Sequence, residues 1–282
     1  MRLLENQPYL LNIIYSNFWL VPYISVFRYN THIITIIMQI NKKLPLFLHD
    51  EKTNEIFKIV VASIPKSTKA YLVGGAIRNA VYYKYFKQKL PQRDFDILLI
   101  GDQVGFIKNL RHRGFIFGKI KRKHEVVVKI KRIPKPIHAY NDYLYLDIHI
   151  AEEKSALKNL AKNSNFTING FAISLKDIFR EDWFDELISL PGALADLKNK
   201  RLKLNQLSHP ANLFACMRFM SLGFKQPKQA EIDLLLKSLS DLKEPRYEKN
   251  MRKLFGYVGG EGNAKKLQKK LKIKQNIFNL NK

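Results

Sequence analysis

A strand ending in a glycine pair, a helix, and a second strand headed by two aspartates follow one another between Ala70 and Gly101. No other stretch limits the fold as tightly. Tyr71, Leu72 and Val73 are β-formers that stop at Gly74-Gly75. Ala76 to Phe86 contains neither Pro nor Gly, which predicts a helix. A glycine pair between a strand and a helix lets backbone N–H groups come close to an anion, with the helix dipole behind them. Arg78, one turn in, adds a positive charge. Asp94 and Asp96 head the next strand and share one face, because side chains at i and i+2 point the same way. Phe95 points into the opposite layer, and Ile97 to Ile100 continue as a buried strand.

Two carboxylates on one face beside such a turn predict a divalent cation, Mg2+ or Mn2+, bound together with a nucleoside triphosphate. These hard cations take oxygen ligands and complete their shells with substrate phosphates. A second metal near an attacking hydroxyl calls for a third carboxylate. Tyr143 to Ile150 alternates like a strand with Asp147 in its middle. That pattern predicts a strand next to Asp94 and Asp96, with Asp147 facing the same way. His149 shares the face of Asp147. His124, His138 and His149 do not show metal-ligand spacing with one another.

LVGGAIRN followed by RDFDILL resembles the head domain of the class II tRNA nucleotidyltransferases (CCA-adding enzymes) and bacterial poly(A) polymerases. Three later segments resemble the family in the same order: NSNFTINGFAI, DWFDELISLPGALADLKNKRLKL and HPANLFACMRFMSLGF. The resemblance runs from about Ala70 to Phe224. It implies an α+β fold: a polymerase-β-like nucleotidyltransferase head with a mixed sheet flanked by helices, then a small all-α neck. The implied domains are an N-terminal extension over 1–45, the head over 46–180 and an RNA-binding neck over 181–282.

The resemblance also implies a reaction. An RNA 3′-hydroxyl, of a tRNA above all, attacks the α-phosphate of ATP or CTP. Asp94, Asp96 and Asp147 act as catalytic and metal-binding residues. Gly74, Gly75 and Arg78 cradle the triphosphate. Asn165, Asn169, His209, Asn212 and Arg218 occupy the remaining nucleotide-contacting positions. Several of these depart from the family pattern. Asn79 stands where relatives carry Asp, and Asn163-Ser164-Asn165 replaces Arg-Arg-Asp. His209 and Asn212 replace an Asp and an Arg that read the base, and Ser208 replaces a Glu. The stretch after Phe224 is shorter than the helical body and tail of full-length relatives. The alternative these changes raise is an inactive or altered-specificity RNA-binding descendant.

The charge agrees with a polyanionic partner: 49 Lys+Arg against 24 Asp+Glu give a net charge of +25. A Lys-rich, AT-biased genome would produce the same excess without such a partner. The single cysteine, Cys216, excludes an internal disulfide and reads as a small core residue on an apolar helix face. An intracellular, cytoplasmic setting is the expectation. Pro8 to Phe27 carries no charge and many aromatics. It reads as a membrane anchor, an uncleaved signal, or sequence upstream of a true start at Met38. Asn12, Ser16, Asn17 and Pro22 interrupt it as a span, and Met38 is the preferred start. No stable membrane association is then expected. Further helices are predicted over 50–64, 102–113, 152–162, 193–198, 210–222, 228–240 and 246–257, and strands over 115–120, 125–130 and 166–175. Asp185 and Asp196 are read as architectural.

Overall fold

The computed structural model describes residues 43–92, 94–115, 125–130, 144–151, 153–205, 211–274 and 276–278. The apolar N-terminal stretch, Met38, His124, His138, Ser208 and His209 lie outside the described residues. So does nearly all of the strand expected over 115–120.

Helix α1 (Glu51–Ala62) begins where Asp50 accepts hydrogen bonds from the Thr53 backbone N (2.8 Å) and hydroxyl (2.6 Å). Strand β1 (Lys69–Val73) leads through Gly74 into α2 (Gly75–Phe86), and β2 (Asp94–Ile100) into α3 (Gln103–His112). Asp102 caps α3 by accepting from the Gly105 N–H, as its position before the helix predicts. Strands β3 (Glu125–Ile130) and β4 (Leu144–Ile150) precede α4 (Ala156–Asn163). A 3-10 turn over Thr167–Asn169 leads into β5 (Phe171–Ser174), β6 (Ile188–Ser189) and α5 (Ala193–Lys198).

The six strands form one mixed sheet in the order β3-β4-β2-β1-β5-β6. Only β2 and β4 run parallel; the other neighbours are antiparallel. Alternation sorts the two faces. Phe95, Ile97, Leu146 and Ile148 are buried on one face, where Phe57 of α1 meets Phe95 with ring centroids 5.1 Å apart. Asp94, Asp96, Asp147 and His149 fall on the other face, which is partly open.

Beyond Asn205 the described chain is helical: α6 (Asn212–Ser221), α7 (Gln229–Leu239), α8 (Glu244–Val258) and α9 (Glu261–Lys270). Helix α6 is buried almost all round, so its neighbours must surround it. Phe219 carries the join to the sheet half, lying 5.8 Å from Phe166 and 5.5 Å from Phe224, which itself meets Tyr82. No described helix is long and apolar enough to cross a membrane.

Three segments differ from expectation. The strand predicted over 166–175 is a bridge at Phe166, the 3-10 turn, then β5. Thr167 donates its hydroxyl to the buried Asp196, which pulls the chain off the strand path. A Cβ on Gly170 would come within 2.4 Å of Leu190. The helix predicted from Glu152 starts only at Ala156, because Asn159 donates back to the Glu153 and Ser155 carbonyls. The helix predicted over 246–257 begins two residues earlier, at Glu244 with Pro245 in its first turn, and ends at Val258.

Candidate active site

The site is assembled at the C-terminal end of β1 and the N-terminal end of β2. The pairing of β2 with β4 sets Asp96 opposite Asp147 and Asp94 opposite Tyr145. Paired residues share a face, so Asp94, Asp96 and Asp147 stand on one side of two adjacent strands. This is the juxtaposition that alternation predicts. Gly74 completes it from β1. Its φ of +71° favours glycine, and a Cβ there would lie 2.7 Å from Asp96 Oδ2. A glycine at this turn is therefore required twice, by its backbone angle and by the carboxylate pressed against it.

His149 Nε2 lies 3.1 Å from Asp96 Oδ1. Both side chains are about one-third exposed. Its shared face with Asp147 is the signal that marks it in the sequence. The donor set, three carboxylates on one face, is chemically suited to a hard cation. Among the described residues, however, no three of His, Cys, Asp or Glu are gathered closely enough to hold a metal ion. One oxygen of Asp96 is turned to His149 instead.

A cavity of about 430 Å3 opens over this face, between the Gly74-Gly75 turn, Asp96, His149 and residues 159–169. Arg78 separates it from a second cavity of about 190 Å3, bounded by Asn79, Gln92, Asp94, Arg218, Phe219 and Tyr257. The two cavities also share Gly75, Asn165 and Asn169. Of the nucleotide-contacting residues expected from the sequence, Gly74, Gly75, Arg78, Asn165, Asn169 and Arg218 are thus brought together. Asn212 is not a wall of either cavity. It is 2% exposed and turned toward Asn165.

Arg78 is held by neutral oxygens. Its Nη1 donates to Asn169 Oδ1 (2.5 Å), and Nε and Nη2 both donate to Asn79 Oδ1 (3.1 and 2.9 Å). Burial, and then the neighbouring Arg218 guanidinium, pull its pKa down to about 10. It therefore remains a cation at neutral pH. The guanidinium lies over the Phe219 ring at 4.9 Å, and that of Arg218 over the Tyr257 ring at 5.1 Å. Asn79 donates onward to Gln92 Oε1 (2.9 Å) and the Pro91 carbonyl. Asn169 donates to Asn165 Oδ1 (2.6 Å), and Asn165 to Asn212 Oδ1 (3.1 Å). A chain of amides thus runs from α6 through Arg78 to the loop before Asp94. Sequence reasoning missed Tyr257, because it comes from α8 and pairs with Arg218 across almost 40 residues. It missed Gln92 because the residue looks like an ordinary loop amide.

Asp196 is 1% exposed and receives hydrogen bonds from Thr167 and Arg201. It supports the turn that carries Asn169.

No family model matches the chain, and no curated protein matches it. Solved structures do. One is titled "Thermotoga maritima CCA-adding enzyme complexed with tRNA_CCA"; it is 19% identical, has a TM-score of 0.59, and the match covers 79% of this chain and 52% of that one. A CCA-adding enzyme with CTP matches at 21% identity and a TM-score of 0.55, over 78% and 50%. A tRNA nucleotidyltransferase complexed with a primer tRNA and an incoming ATP analog matches at 21% and 0.53, over 75% and 60%. The chain thus has the nucleotidyltransferase fold, an α+β head with a helical part after it. It spans about half the length of the first of these structures.

Proposed function

We propose that the chain is a template-independent nucleotidyltransferase that extends the 3′ end of an RNA, a tRNA above all, with nucleotides from ATP or CTP. One observation carries this reading: the β2–β4 register, with Asp147 opposite Asp96 and Asp94 on the same face beside the glycine turn. Solved proteins of the same fold are bound to tRNA, CTP and an ATP analog. Asp94, Asp96 and Asp147 are the residues that would hold Mg2+, and the chemistry bound ions supply is a lower hydroxyl pKa and stabilised charge on the departing pyrophosphate.

The chain's own groups do the rest. The N–H groups of Gly74 and Gly75 and the Arg78 cation orient the triphosphate. Asp147 accepts the proton of the RNA 3′-hydroxyl. The hydroxyl oxygen bonds to the α-phosphorus, the bond from that phosphorus to the bridging oxygen breaks, and pyrophosphate leaves with the electron pair.

A second reading, an RNA-binding descendant without catalysis, is favoured by the engagement of Asp96 with His149. The two separate when the full chain is mixed with Mg2+, each labelled nucleoside triphosphate in turn, and tRNA lacking its CCA end. Label on the RNA that disappears with the Asp94→Ala/Asp96→Ala variant is the expected result. Binding of tRNA with no label from any nucleotide selects the second reading. Neither label nor tRNA binding overturns both.

A further inference from the structure

We infer that Asn79 and Asn169 are positioning residues: their neutral oxygens fix the Arg78 guanidinium between the two cavities and leave its charge unneutralised for the phosphates of a triphosphate. The inference rests on the proposed nucleotidyl transfer and gives these two amides a role in binding the polyphosphate.

Three other arginines of the described chain show what a matched guanidinium looks like. Arg180 Nη2 lies 2.7 Å from Asp182 Oδ2, Arg252 Nη2 lies 3.0 Å from Glu248 Oε2, and Arg201 bonds the buried Asp196. Arg78 differs. Its Nε, Nη1 and Nη2 all donate to amide oxygens, and among the described residues no carboxylate is within ion-pair distance of it. The undescribed residues that precede Asp94 and α6 in sequence, Arg93 and 206–210, include no Asp or Glu. The bond to Asp182 raises the Arg180 pKa, whereas burial and the Arg218 charge lower that of Arg78, and Asp96 and Asp94 counter them more weakly from a distance.

A carboxylate could not replace either asparagine without losing a bond. Asn79 Nδ2 donates to the Pro91 carbonyl and to Gln92 Oε1, and Asn169 Nδ2 donates to Asn165 Oδ1. An ionised Asp has no donor to offer there. Each amide therefore turns its oxygen to Arg78 and its nitrogen to the chain around it. That arrangement holds the guanidinium still without cancelling its charge.

The guanidinium also has donors left. Three of its five N–H groups are engaged by Asn79 and Asn169, and one on each Nη is not. Nη2 lies 3.6 Å from where a Cβ on Gly75 would stand, beside the glycine turn. Arg78 lines both cavities. A phosphate arriving there meets a cation and pre-oriented donors, and it displaces no carboxylate to reach them.

Equilibrium binding to the full chain with Mg2+ present tests this, with ATP and inorganic tripolyphosphate as probes and transfer activity playing no part. Asn169→Asp, which sets a carboxylate against Arg78, should weaken both probes by a common factor of about ten. Asn169→Ala removes the same acceptor and adds no charge, so it should weaken them by only about threefold. The affinity of Asn169→Asp should also fall less steeply with salt than that of the wild type, because less positive charge meets the phosphates. A merely structural role would not change that slope. Asn79→Asp carries the same expectations, which keeps the test open if one variant fails to fold. Equal effects of Asp and Ala at position 169, with the salt slope unchanged, overturn the inference and leave nucleotidyl transfer standing. If the wild type binds neither ATP nor tripolyphosphate, both the inference and the proposed function fail.

Discussion

Asp147 sits opposite Asp96 because β4 runs parallel to β2 and in register with it, and that single pairing sets three carboxylates from two distant segments on one face. Their faces were legible in the sequence, since alternation is a local property. Their partners were not. His149 turns to Asp96, and Arg78 is held by Asn79 and Asn169, which come from two separate places in the chain. A side chain's company depends on tertiary packing, which no spacing rule contains. Asn169 illustrates the gap: the resemblance places it among the nucleotide-contacting positions, and its amide bonds Arg78 and Asn165. Cys216 was legible as core and is fully buried. Burial pushes its thiol up to about 12, so it stays protonated and unreactive at pH 8. A thiol reagent added at pH 8 should leave the native chain unmodified and label one site after denaturation in guanidinium. Prompt labelling of the folded chain would show that α6 is not packed as described.

At the scale of elements, the glycine turn between β1 and α2 decides where the carboxylates stand. Gly74→Ala meets two obstacles, the positive φ and Asp96 Oδ2 at 2.7 Å from the new Cβ. The backbone strain alone should cost about 1–2 kcal/mol, read as a lower urea midpoint with an unchanged slope. Transfer should fall further than stability, since Asp96 must move. An unchanged midpoint would mean the turn is more tolerant than its geometry indicates. Helices and caps followed the sequence closely: α1 and α3 start at Asp50 and Asp102, whose carboxylates accept from N–H groups three residues on. The segment over 166–175 did not. Its β-branched residues favour a strand, but the buried Asp196 draws Thr167 aside, and that partner lies 29 residues away.

The whole molecule carries a net charge of +25, and not all of that charge awaits an anion. Lys84 lies over the Phe184 ring at 4.0 Å, and Lys198 and Lys200 each lie 4.6 Å from the rings of Tyr85 and Phe86. These lysines help fasten the end of α2 to the segments at 183–184 and 198–200. The rest of the excess is still large enough to make RNA binding steeply salt-dependent. Between 50 and 200 mM salt, affinity for tRNA is expected to fall by about 10³ in a fluorescence anisotropy titration. Binding insensitive to salt would remove the polyanion argument. The order of segments along the chain sufficed to foresee an α+β head followed by helices, because each motif marks one element. The joint between the halves, centred on Phe219, could not be foreseen, since it is made by aromatic rings far apart in sequence. The most direct test of the three-carboxylate site is the rate of labelled nucleotide transfer to tRNA lacking its CCA end, measured for the wild-type chain and for Asp147→Asn. Transfer by the wild type, slowed by about 10² or more in the variant with tRNA binding retained, is the expected result. Equal rates in the two chains would contradict a catalytic Asp147, however well the strand register places it.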